Sequence, residues 1–365
     1  MKKTPLYNSH IKAGAKIIDF SGWAMPVQYK SIIKEHENTR NNVTVFDTSH
    51  MGEFFITGDG SLNFLQRVLT ADIRKVSLNK AKYCFLLNND GGVIDDLIVF
   101  YISEKYYMLC VNSGTIEKNL NWLNKHKNDY DVEILDVSEK TAKIDIQGPK
   151  SEQLIKKMTS EILPKRFSFI NTRINGDAVL LSRTGYTGED GFELFFEAKL
   201  AEKMWDYIFE FGKDFDIMPA GLGARDSLRL EACYPLYGHE LSHDISPVEA
   251  GLNFAVDLDK VDNFIGQDKL LELKSKGIKR KLVALKLEGK GIPREGYEVY
   301  KNGENIGYIS SGTFSPTFKA GIALAYIDKN CSDIGSEIEV KIRKTFHKAK
   351  VMKKPLYSFK GENVK

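Results

Sequence analysis

Long hydrophobic runs are missing from this chain. No window approaches the ~18 uninterrupted apolar residues that a membrane-spanning helix needs. The first ten residues, Met1 to His10, hold two lysines but no apolar core of a secretory signal. The expectation is a cytoplasmic protein without membrane contact. Cysteine is scarce as well. Cys84, Cys110, Cys233 and Cys331 are scattered and form no C-x-x-C pair, which excludes a zinc knuckle and a thioredoxin-like site. Cys84 and Cys110 sit within apolar runs and read as small core residues in a reducing compartment. Nor is charge of one sign in excess. The 52 basic residues nearly cancel 49 acidic ones, for a formal charge of +3, so nucleic-acid binding would need a local basic cluster. One basic stretch runs from Lys341 to Lys354, where Arg343, Lys344, Lys348, Lys350 and Lys353 lie among Val340, Ile342 and Val351. It reads as the solvated face of strands, with docking of an acidic partner protein as the alternative.

What is present is a globular balance of 42% apolar and 28% charged residues, unlike a disordered chain. A length of 365 residues exceeds what one hydrophobic core supports, so two or three domains are expected. Strand patterns dominate the first part, at Glu53–Thr57, Tyr83–Leu87, Val93–Tyr101 and Tyr106–Val111. Asn89-Asp90-Gly91-Gly92 tolerates positive φ and should close the second and third strands into a hairpin. Consecutive antiparallel strands argue against a doubly wound sheet. Helical periodicity appears in four places: Leu62, Leu65, Val68 and Leu69 behind a Ser61 cap; Ile116, Leu120 and Leu123 behind Ser113 and Thr115; Leu154, Met158 and Ile162 after Pro149; and Leu200, Met204, Ile208 and Phe211. Helices segregated onto antiparallel sheets define an α+β fold. From about Lys281 the pattern changes to short strands with turn signals, including the hairpin turn Lys301-Asn302-Gly303-Glu304, which predicts a separate β-barrel or sandwich. The linker is expected in Lys274-Ser275-Lys276-Gly277, dividing the chain into 1–275 and 276–365.

The sharpest local oddity is Val93-Ile94-Asp95-Asp96-Leu97-Ile98-Val99-Phe100, an apolar strand interrupted by two carboxylates. Strict alternation puts Asp96 with Ile94, Ile98 and Phe100, and Asp95 with Val93, Leu97 and Val99. A buried carboxylate must be hydrogen-bonded, paired or poised for chemistry. Asp95, beside the turn, equally suits capping of the turn backbone. Asp96, deeper in the strand, is the stronger active-site candidate. A second feature is the polar loop from Ser182 to Glu193 between two apolar strands. Its three glycines would let backbone approach a flat ligand, with Tyr186 for stacking, and plain turn chemistry explains them as well. Gly221-Leu222-Gly223-Ala224-Arg225-Asp226 starts like a dinucleotide fingerprint but lacks the third glycine. His239-Glu240-Leu241-Ser242-His243 fits H-E-x-x-H. Gly238 and Pro247 flank it where a zinc protease needs a long helix, so no metal site is expected.

Taken in order, these segments resemble one family along nearly the whole chain. Thr4-Pro5-Leu6-Tyr7 with His10, Gly14-Ala15-Lys16, the run from Asp19 to Tyr29, the run from Phe46 to Glu53, and Gly91 to Leu97 are similar to the glycine cleavage T-protein (aminomethyltransferase) family. So are Ser182 to Glu193, Gly221 to Asp226, and Gly312 to Thr317. The resemblance implies two intertwined α+β folate-binding domains and a C-terminal β-barrel around a central channel. It implies tetrahydrofolate as co-substrate, no metal, and lipoylated H-protein as the partner carrying an aminomethyl group. Methylenetetrahydrofolate, ammonia and a dihydrolipoyl arm would be the products. In such a site Asp96 would be the catalytic aspartate near folate N5 and N10, and Glu193 would bind the pterin N–H edge. Arg225 would contact the pterin carbonyl or the glutamyl tail, with Tyr83, Asn112, Tyr186 and Tyr234 near folate. Two departures stand out: Phe100 replaces a more usual tyrosine, and no arginine follows Pro355. Two alternatives remain open. One is a folate-dependent demethylase of the same superfamily, whose members tend to depart from the Gly-Gly-Val-Ile-Asp-Asp pattern. The other is a non-catalytic folate-binding factor of iron–sulfur assembly, whose Lys-Gly-Cys-Tyr-x-Gly-Gln-Glu signature Glu231 to Glu240 resembles only with an insertion.

Overall fold

The computed structural model describes residues 1–359. Its first sheet grows from the predicted hairpin. Asn88 Oδ1 accepts the N–H groups of Asp90 and Gly92, both at 2.9 Å, and Gly91 takes φ +79°, which folds strand Ala81–Leu87 back on Val93–Ser103. Tyr106–Val111, Gly52–Thr57 and Glu133–Asp136 complete a five-stranded antiparallel sheet. A second, six-stranded sheet runs Phe169–Ile174, Asp177–Ser182, Gly191–Glu197, Thr141–Gln147, Thr44–Asp47 and Met218–Pro219. Only its last pair is parallel.

Each sheet buries one face under helices and turns the other toward its neighbour. Helices Ser61–Val68 and Ile116–Lys125 cover the first, packing Phe64, Leu65 and Leu123 on Phe54, Leu97 and Val99. Helices Ser151–Met158 and Ala201–Phe211 cover the second, packing Leu154, Met204 and Ile208 on Ile144 and Leu194. Between the sheets, Phe100 lies edge-on to Phe169 and to Phe195, each at 5.5 Å, and is 0% exposed. Such aromatic pairs add about 0.5–1.5 kcal/mol beyond area burial. The absent hydroxyl at Phe100 is therefore a matter of core packing in this chain.

The C-terminal strands close into a barrel in the order Arg280–Leu287, Ala320–Asp328, Glu304–Ser315, Glu298–Lys301, Glu337–Ile342 and Thr345–Met352. Asn302 and Gly303, with φ 53° and 83°, make the expected hairpin turn. Polar interlocks fasten the barrel to helix Leu222–Glu231 and the segment after it: Arg229 Nη2 donates to Ser311 Oγ at 2.8 Å, and Tyr326 Oη to the Glu240 carbonyl at 2.7 Å.

Several local expectations fail for identifiable reasons. Ser61 is the first residue of its helix behind Gly60 and does not cap it; its buried hydroxyl has no hydrogen-bond partner among the described residues. Thr115 precedes Ile116–Lys125, but its hydroxyl donates to Asp95 instead of taking a helix N–H. The helix after Pro149 ends at Met158, and Ile162, two residues before Pro164, stands outside it at 91% exposure. The stretch before the barrel is not irregular: Lys274–Lys276 form the last turn of helix Gln267–Lys276, which stops where Gly277 takes φ +81°. On the basic strands, Lys341 Nζ lies 2.9 Å from Glu298, and Lys350 Nζ lies 3.1 Å from Glu288. These two charges are met by carboxylates at the barrel surface, where the lysine side chains are 37% and 45% exposed.

Candidate active site

A β-bulge sets the direction of the aspartate pair. Leu86 pairs with Asp95 and Leu87 with Val93, which leaves Ile94 without a partner. The extra residue inverts the faces before it. Val93 therefore joins Phe85 and Leu87 on the Asp96 side, while Ile94 packs with Leu97 and Val99, the reverse of strict alternation. Asp95 is fully buried against the helix Ile116–Lys125. It accepts from the Asn112 N–H at 3.2 Å, Asn112 Nδ2 at 2.9 Å, Thr115 Oγ1 at 2.6 Å and Asn119 Nδ2 at 2.5 Å. It does not cap the turn; Asn88 does that.

Asp96 faces the other way, into a cavity of about 1120 Å³. Tyr83 Oη donates to its Oδ2 at 2.9 Å and Asn112 Nδ2 to its Oδ1 at 2.8 Å, so one amide bridges both aspartates. Burial pushes both carboxyls up, and the charge of Asp95 adds to the effect on Asp96, which reaches about 7. Four donors converge on Asp95 and two on Asp96. The negative charge therefore resides on Asp95, and Asp96 holds the exchangeable proton.

A second cluster, on the six-stranded sheet, reaches the same cavity through Glu193 and Arg225, with Lys143 and Asp145 buried behind them. Lys143 and Asp145 share a face of Thr141–Gln147, opposite Phe195 and Glu193. Lys143 is 1% exposed, with Nζ 2.6 Å from Glu193 Oε1 and 2.7 Å from Asp145 Oδ1. Burial works against the ammonium, but Asp145 and Glu193 outweigh it and hold the group above its ordinary range. Thr184 donates to the other Glu193 oxygen. Arg225, on helix Leu222–Glu231, sits 3.5 Å from Asp145 and 4.5 Å from the centroid of the Tyr186 ring. That ring lies 5.9 Å from Tyr234, and its hydroxyl donates to the Pro235 carbonyl. Two of the loop's three glycines answer to Gln147: a Cβ on Gly185 or Gly191 would come within 2.2 or 2.4 Å of its amide. Both glycines make room for that buried amide, and both also line the cavity.

Asp96, Glu193, Arg225, Tyr83, Asn112, Tyr186 and Tyr234 thus meet in one cavity. His50 and Tyr237 line it too and were not singled out from the sequence. Burial, with the charge of Arg225, pushes the His50 imidazole down to about 4, and its Nδ1 has no hydrogen-bond partner among the described residues. The family-like run from Phe46 to Glu53 was the available signal for it. The H-E-x-x-H residues adopt no helix. His239 contacts the Ser310 carbonyl at 3.2 Å, His243 contacts Asn88 at 2.8 Å, and Glu240 receives Arg229 at 2.9 Å. The two imidazoles serve different neighbours. Cys233 is no reactive thiolate, since burial pushes its thiol up to about 11.

The GCVT N-terminal domain matches residues 6–260, and the glycine cleavage T-protein C-terminal barrel domain matches residues 280–358. The chain belongs to the glycine cleavage T-protein family. An aminomethyltransferase of Caldanaerobacter subterraneus subsp. tengcongensis is 51% identical over 360 residues, covering 98% of this chain and 96% of the relative. An aminomethyltransferase of Bacillus subtilis is 45% identical, covering 98% and 99%. The crystal structure of glycine cleavage system aminomethyltransferase T from Bartonella henselae superposes with a TM-score of 0.91 at 30% identity, over 100% of this chain and 99% of that one. These matches within the T-protein family favour neither the demethylase nor the iron–sulfur assembly reading. No helix among the described residues is long and apolar enough to cross a membrane.

Proposed function

We propose that the protein transfers the one-carbon unit of an aminomethyl-lipoyl H-protein to tetrahydrofolate, giving methylenetetrahydrofolate, ammonia and the dihydrolipoyl arm. The observation that supports this most is Asp96, a carboxyl raised to about 7 on the wall of a roomy, largely apolar cavity. Groups that titrate near the working pH are the ones able to take and return protons during reaction. Asp96 accepts the proton of a pterin nitrogen as that nitrogen bonds carbon, and returns it to departing ammonia.

Glu193 and Arg225 suit the pterin end. A carboxylate offers about four acceptor positions, and Lys143 and Thr184 occupy two on Glu193. The remainder can meet a guanidine-like N–H edge. Arg225, beside Asp145 and over Tyr186, offers its guanidinium donors to the pterin carbonyl or to the glutamyl tail. The test is direct: incubate the protein with aminomethyl-lipoylated H-protein and tetrahydrofolate and measure ammonia and methylenetetrahydrofolate. Release of neither product would remove this reading.

A further inference from the structure

The proposed transfer has two leaving groups and moves two protons. Folate N5–H and N10–H each lose one; ammonia takes one and the departing lipoyl sulfur the other. Asp96 is a single carboxyl, and a second proton-bearing pair reaches the same cavity. Lys118, on helix Ile116–Lys125, donates from Nζ to the carbonyl of Ile94 and to Tyr237 Oη, both at 2.6 Å. Its ammonium lies 4.3 Å from the centroid of the Tyr237 ring, and Tyr237 lines the cavity. An ammonium has donors only. Lys118 therefore occupies a lone pair of the phenol oxygen, and the phenol hydrogen must point elsewhere. Among the described residues no protein atom accepts it.

The groups that act electrostatically on this pair are both on strand Val93–Ser103. Burial lowers the Lys118 ammonium, and Asp95 opposes that effect. Burial, then Asp95 and Asp96, push the Tyr237 phenol to about 12. The phenol stays protonated at working pH, backed by an ammonium that releases its proton more readily than an exposed lysine.

We propose that Tyr237 is the acid that protonates the departing lipoyl sulfur, and that Lys118 is the positioning residue that orients and recharges it. This rests on the aminomethyl-transfer reading. As folate N5 bonds the one-carbon unit, the carbon–sulfur bond breaks and its electron pair passes to sulfur. Tyr237 gives its proton to that sulfur and takes one from Lys118. Lys118, half-buried on its helix, regains a proton from solvent, into which the second folate N–H proton is released. Bonds and protons balance without an added reagent.

The test compares Tyr237→Phe, Lys118→Met and Lys118→Arg in the full-length protein with aminomethyl-lipoylated H-protein and tetrahydrofolate. Tyr237→Phe should lower kcat by about 10²-fold, at the low end for a lost general acid, with folate affinity by calorimetry unchanged. Wild-type kcat should fall at alkaline pH as Lys118 loses its proton. That limb should vanish in Lys118→Met and in Lys118→Arg, whose guanidinium keeps the charge that orients Tyr237 but cannot give up a proton, so the arginine variant should recover only part of the rate. Unchanged kcat in Tyr237→Phe, an alkaline limb persisting in Lys118→Met, or folate affinity falling in step with rate would each overturn the assignment. A wild-type protein that releases no ammonia defeats the transfer reading and this one with it. Normal wild-type turnover with unaffected variants defeats only the Tyr237 and Lys118 roles.

Discussion

Two clusters of carboxylates each present one member to the same cavity, Glu193 from one and Asp96 from the other, and they are held by opposite kinds of donor. On the six-stranded sheet, Lys143 bonds both Asp145 and Glu193, and Arg225 adds a second cation beside Asp145. On the five-stranded sheet, Asp95 and Asp96 receive only neutral donors, from Asn112, Thr115, Asn119 and Tyr83. Lys118 passes close by but bonds the Ile94 carbonyl. The difference separates two jobs. Carboxylates bonded to a buried cation serve as fixed acceptors for binding, whereas a carboxyl held by neutral donors next to another carboxylate is driven into the range where it can exchange a proton. Glu53 marks the limit of the first arrangement. It lies within reach of the Lys143 charge but its buried Oε1 has no hydrogen-bond partner among the described residues, and burial drives it well up toward the neutral acid.

The largest effect that would sharpen this contrast is in stability. Lys143→Met leaves Asp145 and Glu193 buried without their cation, and breaking such a pair costs about 3–5 kcal/mol. A wild-type urea midpoint in this variant would mean that the cation does not hold the cluster. Next comes Glu193→Gln, which puts a donor where the pterin edge needs an acceptor. Folate binding should weaken by on the order of 1.5–3 kcal/mol, and unchanged affinity by calorimetry would remove Glu193 from the site.

A smaller effect distinguishes the aspartate pair. The folded-state pKa of Asp96 is raised from 3.8 to about 7, so its contribution to stability is fully present below the unfolded value and is lost as pH rises through 7. Asp96→Asn should therefore be more stable than wild type at pH 8, by on the order of 1 kcal/mol once mismatched donors are allowed for. It should have no such advantage in acid. Equal melting curves at both ends of that range would show that Asp96 is not desolvated. The smallest effect concerns the basic barrel strands. Since Lys341 and Lys350 already face glutamates, neutralising Lys341, Lys344, Lys348 and Lys350 together should flatten the salt dependence of turnover at subsaturating H-protein only modestly. Folate affinity should not move with salt. A wild-type salt slope in that variant places the docking charge elsewhere.

The parts of this molecule that were legible in its sequence are those where a local pattern and its structural cause coincide. The Asn89 to Gly92 turn, the strands beside it and the two carboxylates in an apolar strand all announced themselves within a few residues. The bulge at Ile94 did not, because a period-two count assumes that every residue has a partner. Thr115 reads as a helix cap by spacing, yet its hydroxyl is claimed by Asp95, 20 residues earlier. Lys143 looks like an ordinary polar position in an alternating strand. Only Glu193, 50 residues on and paired across the sheet, makes it a buried cation. Lys118 and Tyr237 are 119 residues apart, and nothing in either neighbourhood predicts that they meet.

The most direct test of a reactive Asp96 beside an anionic Asp95 is the pH dependence of kcat/KM for ammonia release from aminomethyl-lipoyl H-protein with tetrahydrofolate. Wild type should rise through about 7 as Asp96 becomes able to accept a proton. Asp96→Asn should lose that limb and about 10²–10⁴-fold in kcat, with folate still bound, and Asp95→Asn should lose less. An Asp96→Asn protein that retains the limb near 7, or an Asp95→Asn protein more impaired than Asp96→Asn, would contradict it.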